Sequence, residues 1–574
     1  MSLPRWDLNE IYSGCDSDDF NLAIKSCYDN CTKVKSLIED KISIDEVIKT
    51  WEKVLDTYET LDAYTSVLLS VETNNSDYML ALNRVSKLSL TVNNLEVFVI
   101  NYLDANKEEV LKKCEMDLNE YSFVLHELLE KHKHMKSVEV EAIASDLNRS
   151  GTEAFERLQE ALISRTTIDY KGEEKTVTEL RALAFDKDRE IRKAAFEKEV
   201  QLLKNNEIAY AASINGVKGA TISLDELHLY TPLERSLEQS RINEKTIEAL
   251  ISTIEKNLPL FRKYLNKKAQ MLNLDHLAFY DLFAPVSKES KFYEFEDAKE
   301  FILDKFYGFS KQMGDFAKNA FDNNWIDAEP RKNKVGGAYD VGFPDAQVSR
   351  VLCNYDYSYN GLSTLAHELG HAYHDSVVLP KSHLLRTYPM TLAETASIFS
   401  ETIVLQGALE KADESERISL IETFLQDTTQ VCVDILCRFY FERELFAKRV
   451  ESELSSEELC KIMVESQKKT YGTLSEYHPF MWAVKGHYYS SDFSFYNYPY
   501  AFGQLFALGV FAQKEKLGDD FALKYNNMLE HTGKDSAKNV ASLLDCDIES
   551  EEFWQSSLDI VSKYVEDFVN ASNN

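Results

Sequence analysis

Proline and glycine are scarce in this chain: 574 residues carry 10 prolines and 19 glycines, with no proline between Pro4 and Pro232 and no glycine between Gly14 and Gly151. Both residues interrupt helices, so their rarity predicts long helices and argues for fewer, larger helical bodies than the three or four domains that length alone suggests. No run of 18 or more apolar residues occurs, which excludes a membrane-spanning helix. The N-terminus, Met1-Ser2-Leu3-Pro4-Arg5-Trp6-Asp7, has no apolar stretch behind its charge, so export by a signal peptide is not expected. Basic residues are outnumbered: 64 Lys and Arg against 96 Asp and Glu leave a formal charge of −32, a field that repels phosphate backbones and anionic lipid and draws in cationic ligands. Nucleic acid and membrane are therefore excluded as partners. The nine cysteines are odd in number and follow no regular framework, which points away from disulfides and toward a reducing compartment, the cytoplasm.

The composition that is present, 44% hydrophobic and 28% charged, is that of a chain able to bury a core. Val85, Leu88, Val92, Leu95 and Val99 recur at three- and four-residue steps and predict one buried helix face. A break follows near Asn148-Arg149-Ser150-Gly151. The segment Thr166-Thr167-Ile168-Asp169-Tyr170-Lys171-Gly172 then alternates and ends in a turn, predicting a small hairpin before helical periodicity resumes at about Thr176. No internal repeat is present. The chain is read as an N-terminal helical domain, residues 1–195, followed by a second domain, residues 196–574, with a soft boundary between them. Cys27 with Cys31, and Cys432 with Cys437, lie close in sequence but lack a matching second half, and are read as buried thiols.

The most informative segment is Asn360-Gly361-Leu362-Ser363-Thr364-Leu365-Ala366-His367-Glu368-Leu369-Gly370-His371-Ala372-Tyr373-His374. Leu362, Leu365, Ala366, Leu369 and Tyr373 form an apolar helical stripe after an Asn-Gly turn. His367 and His371 stand four residues apart, about 40° around the axis and one turn along it, so both imidazoles can reach one ion. Two neutral imidazoles hold zinc while an adjacent carboxylate, Glu368, takes a proton from the water that the ion acidifies. With His near 2% and Glu near 10% of the chain, roughly 0.02 matches to H-E-x-x-H arise by chance, so chance does not explain it. Two surface histidines on an exposed helix are the alternative until a third ligand is found.

That third ligand should be a carboxylate from another helix, and Glu394 in Met390-Thr391-Leu392-Ala393-Glu394-Thr395 is the first choice. Thr391-x-x-Glu394 also reads as a capping box, in which Glu394 merely satisfies a helix N-terminus. Glu401, two turns further on, is the second choice, as ligand or as acceptor for an imidazole N–H. His126-Glu127-Leu128-Leu129 begins like the same signature but has Glu130 where the second imidazole belongs; with His132 and His134 it is assigned no chemistry. Val348 to Tyr355 reads as a strand, either internal to a small sheet or with an open edge able to pair with an extended peptide, and Cys353 within it as a buried thiol. Gly336-Gly337 reads as a loop near the cleft or as a plain turn.

The segment His367-Glu368-Leu369-Gly370-His371-Ala372-Tyr373-His374, followed by Ala393-Glu394-Thr395-Ala396-Ser397, resembles the M3 metallopeptidases and specifically oligoendopeptidase F. Arg5-Trp6-Asp7-Leu8, Phe185-Asp186-Lys187-Asp188-Arg189, Lys334-Val335-Gly336-Gly337-Ala338-Tyr339 and Tyr498-Pro499-Tyr500-Ala501-Phe502-Gly503 extend the resemblance over nearly the whole chain. It implies a mainly α-helical, zincin-like fold whose two lobes enclose a deep substrate channel bordered by a small β-sheet. It further implies one zinc ion per chain, Glu394 as third ligand, and short unfolded peptides as substrates. Residues 1–195 would correspond to the family's N-terminal type and residues 196–574 to its catalytic domain. A histidine and tyrosines of the late segment hold substrate and oxyanion in the family; these carry over to His487, Tyr498 and Tyr500, with Tyr496 or Asn497 as alternatives where the spacing differs. The residues alone favour reading that aromatic cluster as core.

The expected function is therefore a zinc-dependent oligoendopeptidase with Glu368 as general base and His487 and Tyr500 at the oxyanion, donating from an imidazole N–H and a phenol. A metallocarboxypeptidase, which needs a cation for the free C-terminal carboxylate, and a non-catalytic zinc-containing peptide-binding scaffold are the alternatives. A purely structural zinc site would require a fourth protein ligand, for which no Cys or His stands out.

Overall fold

Three consecutive helices, Asp18–Glu39, Ile44–Val71 and Ser76–Ala105, pack on one another at the start of the chain. Their length follows from the absence of breakers, and Asn75 caps the third by accepting from the backbone N–H groups of Asp77 and Tyr78. The predicted stripe Val85, Leu88, Val92, Leu95 and Val99 is buried, in one core with Phe20, Trp51, Val54 and Leu61. The computed structural model describes residues 3–286 and 291–571 and is mainly helical throughout. Met1 and Ser2, at the head of the N-terminal segment read above, lie outside the described residues.

The chain forms two compact units, each assembled from non-contiguous segments. The first comprises residues 1–133, 291–411 and 513–546. Here the core of the three-helix bundle continues into Phe343, Leu384 and Leu385, carrying the bundle onto a small sheet. In that sheet Ile326–Asp327 runs parallel to Val348–Leu352, which pairs antiparallel with Tyr339–Phe343, so that Val348–Leu352 is the central strand. Arg350 on the central strand is buried, and it is satisfied by the carbonyl of Asp7 at 2.8 Å and by Glu10. The N-terminal segment is thereby tied to the sheet. Helix Tyr359–Val378 packs against this sheet and against helix Thr395–Lys411.

The second unit comprises residues 134–290, 412–512 and 547–574. It holds the expected hairpin, Thr167–Tyr170 paired with Glu173–Thr176, and its turn residues Lys171 and Gly172 have φ of 57° and 89°, the left-handed pair that a two-residue hairpin requires. Its long helices include Glu207–Leu227, Glu244–Met271, Ile435–Arg449, Ser456–Tyr471 and Glu551–Asn570. Buried ion pairs join some of them: Lys218 to Glu442 at 2.6 Å and Lys268 to Glu422 at 2.7 Å. A π-helical turn, Gln430–Asp434, interrupts the helical run leading into Ile435–Arg449.

The spatial division differs from the division read along the sequence. Position 195 falls inside helix Arg189–Asn205, and the first unit takes back two later segments of chain. Composition changes along a chain mark linkers, and here no linker marks the returns. All nine cysteines are free thiols. Cys27, Cys31, Cys353, Cys432 and Cys437 are buried, and burial pushes the Cys353 thiol up to about 12. No helix among the described residues is long and apolar enough to cross a membrane.

Candidate metal centre

Helix Tyr359–Val378 starts earlier than the sequence suggests. Ser358 caps it, accepting from the Gly361 N–H at 3.0 Å, so Asn360 and Gly361 form the first helical turn and not a separate bend. Leu362, Leu365, Ala366, Leu369 and Tyr373 are buried as predicted, leaving His367 and His371 together on a half-buried face. The segment after Pro389 is two helices, Met390–Ala393 and Thr395–Lys411, with Glu394 at the break, where φ and ψ are −82° and 3°. Pro389, not Thr391, occupies the cap position of the first, so Glu394 is released from the capping-box role. Its carboxylate is instead oriented by Ser397, whose hydroxyl donates to Oε2 at 2.8 Å.

Three donor atoms from these two segments converge. Nε2 of His367 and Nε2 of His371 are 3.1 Å apart, and Oε2 of Glu394 lies 3.4 and 3.3 Å from them. A point equidistant from the three is about 2 Å from each, the length of a zinc–nitrogen or zinc–oxygen bond. No fourth His, Cys, Asp or Glu joins this cluster among the described residues. The donor set thus fits a divalent transition metal with an open position. Gly370 makes the approach possible: a Cβ there would lie 2.6 Å from the Ala396 carbonyl oxygen and 2.7 Å from Cα of Ser397, so the two helix backbones are in contact at the turn that bears Glu394.

Electrostatics around the cluster follow from burial among carboxylates. Burial disfavours the His367 imidazolium, but Glu401, Glu394 and Glu368 outweigh it and lift the pKa to about 9. Glu401 accepts from Nδ1 of His367, which leaves Nε2 as the lone-pair nitrogen facing the cluster. Burial raises Glu394, yet His371 and His367 outweigh it and hold the carboxyl down at about 2. Glu368 is 6% exposed and takes no part in the triad; burial raises its pKa against the pull of the two histidines. The third histidine of the segment, His374, faces away: it is buried, stacks on Tyr388, and shares a hydrogen bond with Thr532 at 2.9 Å, burial lowering its pKa to about 3.

A cavity of about 550 Å³ opens on the cluster, walled by Tyr339, Asp340, Asp375, Arg386 and Tyr388 among others. Asp340 and Asp375 are adjacent carboxyls that burial raises, Asp375 to about 6; the Asp375 charge lifts Asp340 further, whereas the hydrogen bond from Asp340 works against the rise at Asp375. Arg386, the only Lys or Arg among the described residues of the wall, is committed to Asp56 and Glu59 at 2.7 Å each. The strand that borders this cavity is Tyr339–Phe343, one edge of the sheet, whereas the expected Val348 segment is internal. Gly337, with φ of 80°, turns the preceding loop into that edge.

The late segment belongs to the second unit. Half-buried His487 stacks on Tyr496 and Tyr500, with ring centroids 4.6 and 5.8 Å away, and its Nδ1 lies 2.8 Å from Oδ1 of buried Asn497. Tyr498 requires a correction. It is fully buried at the start of helix Tyr498–Leu517, and its hydroxyl bonds to the Ser236 carbonyl at 3.0 Å and to Ser240 at 2.8 Å, which holds it in the core. His126 bonds to its own helix through the Ser122 carbonyl, His132 to Asn101, and His134 to the His228 carbonyl.

Several residues of the site were not read from the sequence. Asp340 and Asp375 come together only when the edge strand meets the helix, and neither sits in a recognisable motif. Gly370 carried a signal, a helix breaker between the two candidate histidines, that packing alone explains.

A His-His-Glu cluster beside a buried glutamate on a helical frame defines a metallopeptidase. The chain belongs to peptidase family M3, whose model matches residues 182–560, while a second model, described as oligopeptidase F, matches residues 101–167. It is 25% identical over 549 residues to the oligopeptidase PepF of Bacillus subtilis, covering 92% of this chain and 81% of that one. It is 25% identical over 586 residues to an oligoendopeptidase F homolog of Lactococcus lactis, covering 97% and 95%. Among solved structures, one from Chlamydophila abortus matches with a TM-score of 0.84 at 21% identity over 99% of this chain and 98% of that one. The oligoendopeptidase F of Enterococcus faecium matches at 0.69 and 18% identity over 96% of each chain. At those identities the structures speak for the fold. The protein is a metalloendopeptidase acting on peptides, and the resemblance read from its motifs is borne out.

Proposed function

We propose that the protein is a zinc-dependent oligoendopeptidase that hydrolyses internal bonds of short, unfolded peptides in the reducing cytoplasm, with His367, His371 and Glu394 holding the ion. The observation that carries this reading is the triangle of donor atoms 3.1 to 3.4 Å on a side, with Glu368 buried next to it and outside it. Zinc held there would supply Lewis acidity and lower the pKa of a water molecule. Glu368 then takes the proton from that water as it attacks the scissile carbonyl, and afterwards delivers the proton to the leaving amine. A carboxylate whose pKa is raised by burial is a better base for this than an exposed one, and it is closer to neutrality when it gives the proton back. Tyr500 serves the developing oxyanion with its phenol, and His487 holds the peptide. The edge strand Tyr339–Phe343 offers main-chain hydrogen bonds to an extended peptide, which suits broad sequence tolerance. Nine free thiols support the compartment.

The neutralised state of Arg386 speaks against a carboxypeptidase, because its charge is already spent on Asp56 and Glu59. The test is to incubate the zinc-loaded protein with blocked peptides of graded length and identify the products by mass. Internal cuts that vanish on chelation are expected, and Glu368→Gln should keep its zinc while turnover falls by at least about a thousandfold. A zinc-loaded Gln variant with full activity removes the base assignment; absence of chelator-sensitive cleavage removes the peptidase reading of this site.

A further inference from the structure

Within the second unit, one chain of hydrogen bonds dictates which nitrogen of His487 carries a proton. Asp434, placed by the π-helical turn Gln430–Asp434, accepts from Nε of Arg438 at 2.9 Å and from the Tyr471 hydroxyl at 3.1 Å. Arg438, thus fixed and 6% exposed, directs Nη1 to Oδ1 of Asn497 at 2.8 Å. The same Oδ1 is 2.8 Å from Nδ1 of His487. A guanidinium has donors only, so the Asn497 atom facing it is the carbonyl oxygen; rotating the amide would set NH2 against N–H. An oxygen that accepts from Arg438 meets Nδ1 of His487 only if Nδ1 is protonated.

We infer that Arg438 and Asn497 are positioning residues that lock His487 as the Nδ1–H tautomer, so that its Nε2 accepts a backbone N–H of the bound peptide and does not donate to the oxyanion. Nε2 takes no hydrogen bond from any described residue, and the ring, which lies against Tyr496 and Tyr500, is half-buried, so the lone pair is available. Burial and the nearby Arg438 and Lys485 charges lower the His487 pKa against the effect of the Asn497 bond, in keeping with a neutral ring. The expected imidazole N–H at the oxyanion is therefore replaced by an acceptor, and donation falls to Tyr500. The acceptor role rests on the proposal that His487 touches substrate; the tautomer does not. A peptide bearing proline or an N-methyl group at the matching position lacks the N–H that Nε2 would receive.

The tautomer is read directly from the zinc-loaded wild-type protein labelled with 15N at histidine. His487 is assigned by loss of its signals in His487→Phe, and the expected pattern is a protonated Nδ1 and an unprotonated Nε2. Asn497→Leu should abolish that preference while circular dichroism shows the fold retained; the wild-type spectrum stands by itself if this variant does not fold. In parallel, cleavage of peptides N-methylated at one backbone position at a time should reveal a position where methylation costs wild type about five- to tenfold in kcat/KM, roughly the worth of one hydrogen bond. The cost should disappear in His487→Phe and return in part in His487→Gln, whose side-chain oxygen accepts. An Nε2–H tautomer or an imidazolium at neutral pH overturns the lock. A locked Nδ1–H with kcat/KM unchanged in His487→Phe leaves the lock standing but overturns the acceptor role, together with the placement of His487 at substrate.

Discussion

At the scale of single residues, the site is governed by which atoms hold protons. The metal-free His367 imidazole has its pKa raised to about 9 from an ordinary 6.5, because three carboxylates outweigh the burial that works against its charge. A raised pKa stabilises the folded metal-free protein below pH 6.5, and that contribution is lost as pH rises through about 9. Ligation needs the neutral ring, so uptake of the proposed zinc expels this proton at any pH below about 9, and affinity falls as pH falls. Calorimetry at pH 7 in buffers of different ionisation enthalpy should report about one proton released per ion, with no contribution from Glu394, which its histidine neighbours keep ionised. Zero protons released would contradict the charge state assigned to His367. Glu401 accepts from the same ring, so Glu401→Gln should weaken zinc binding by about 10- to 100-fold while the cleavage pattern stays the same. Competition with a chelating dye measures it, and unchanged affinity would make that contact incidental.

Packing of the helices Tyr359–Val378 and Thr395–Lys411 delivers two of the proposed ligands from one and the third from the break before the other. Gly370 sets their separation. Substituting alanine would gain about 1 kcal/mol of helix propensity, yet the added methyl meets backbone atoms at 2.6 and 2.7 Å, where overpacking costs about 1 to 3 kcal/mol. The second effect wins. Gly370→Ala should lower the unfolding midpoint of the metal-free protein and weaken zinc binding by shifting Glu394; a midpoint that rises would show the backbones have room to part. The same element logic explains Tyr498. The segment was legible as aromatic, but which of its rings turn inward depends on Ser236 and Ser240, more than 250 residues away in sequence.

For the molecule as a whole, the charge of −32 acts on every approaching peptide. Long-range attraction is screened within about 10 Å at 0.1 M salt, so it affects encounter more than chemistry. Cleavage of lysine-rich peptides should therefore lose several-fold in kcat/KM between about 0.05 and 0.5 M salt, through KM, while uncharged peptides of equal length change little. Equal salt dependence for both would mean that the field has no part in selection. The interleaving of chain between the two units was invisible beforehand, since residues 291–411 and 513–546 rejoin the N-terminal bundle without a linker or composition shift.

The sequence by itself determined the long helices, the buried stripe of the first bundle, the hairpin at Lys171-Gly172 and the pairing of His367 with His371, because each depends on spacings within one local element. Only the tertiary structure decided that Glu394 stands free of its cap, that Tyr339–Phe343 and not the Val348 strand is an edge, that Asp340 meets Asp375, and that Arg438 speaks to His487 through Asn497. Those arrangements join atoms distant along the chain, and packing between elements, which local periodicity does not encode, sets their distances.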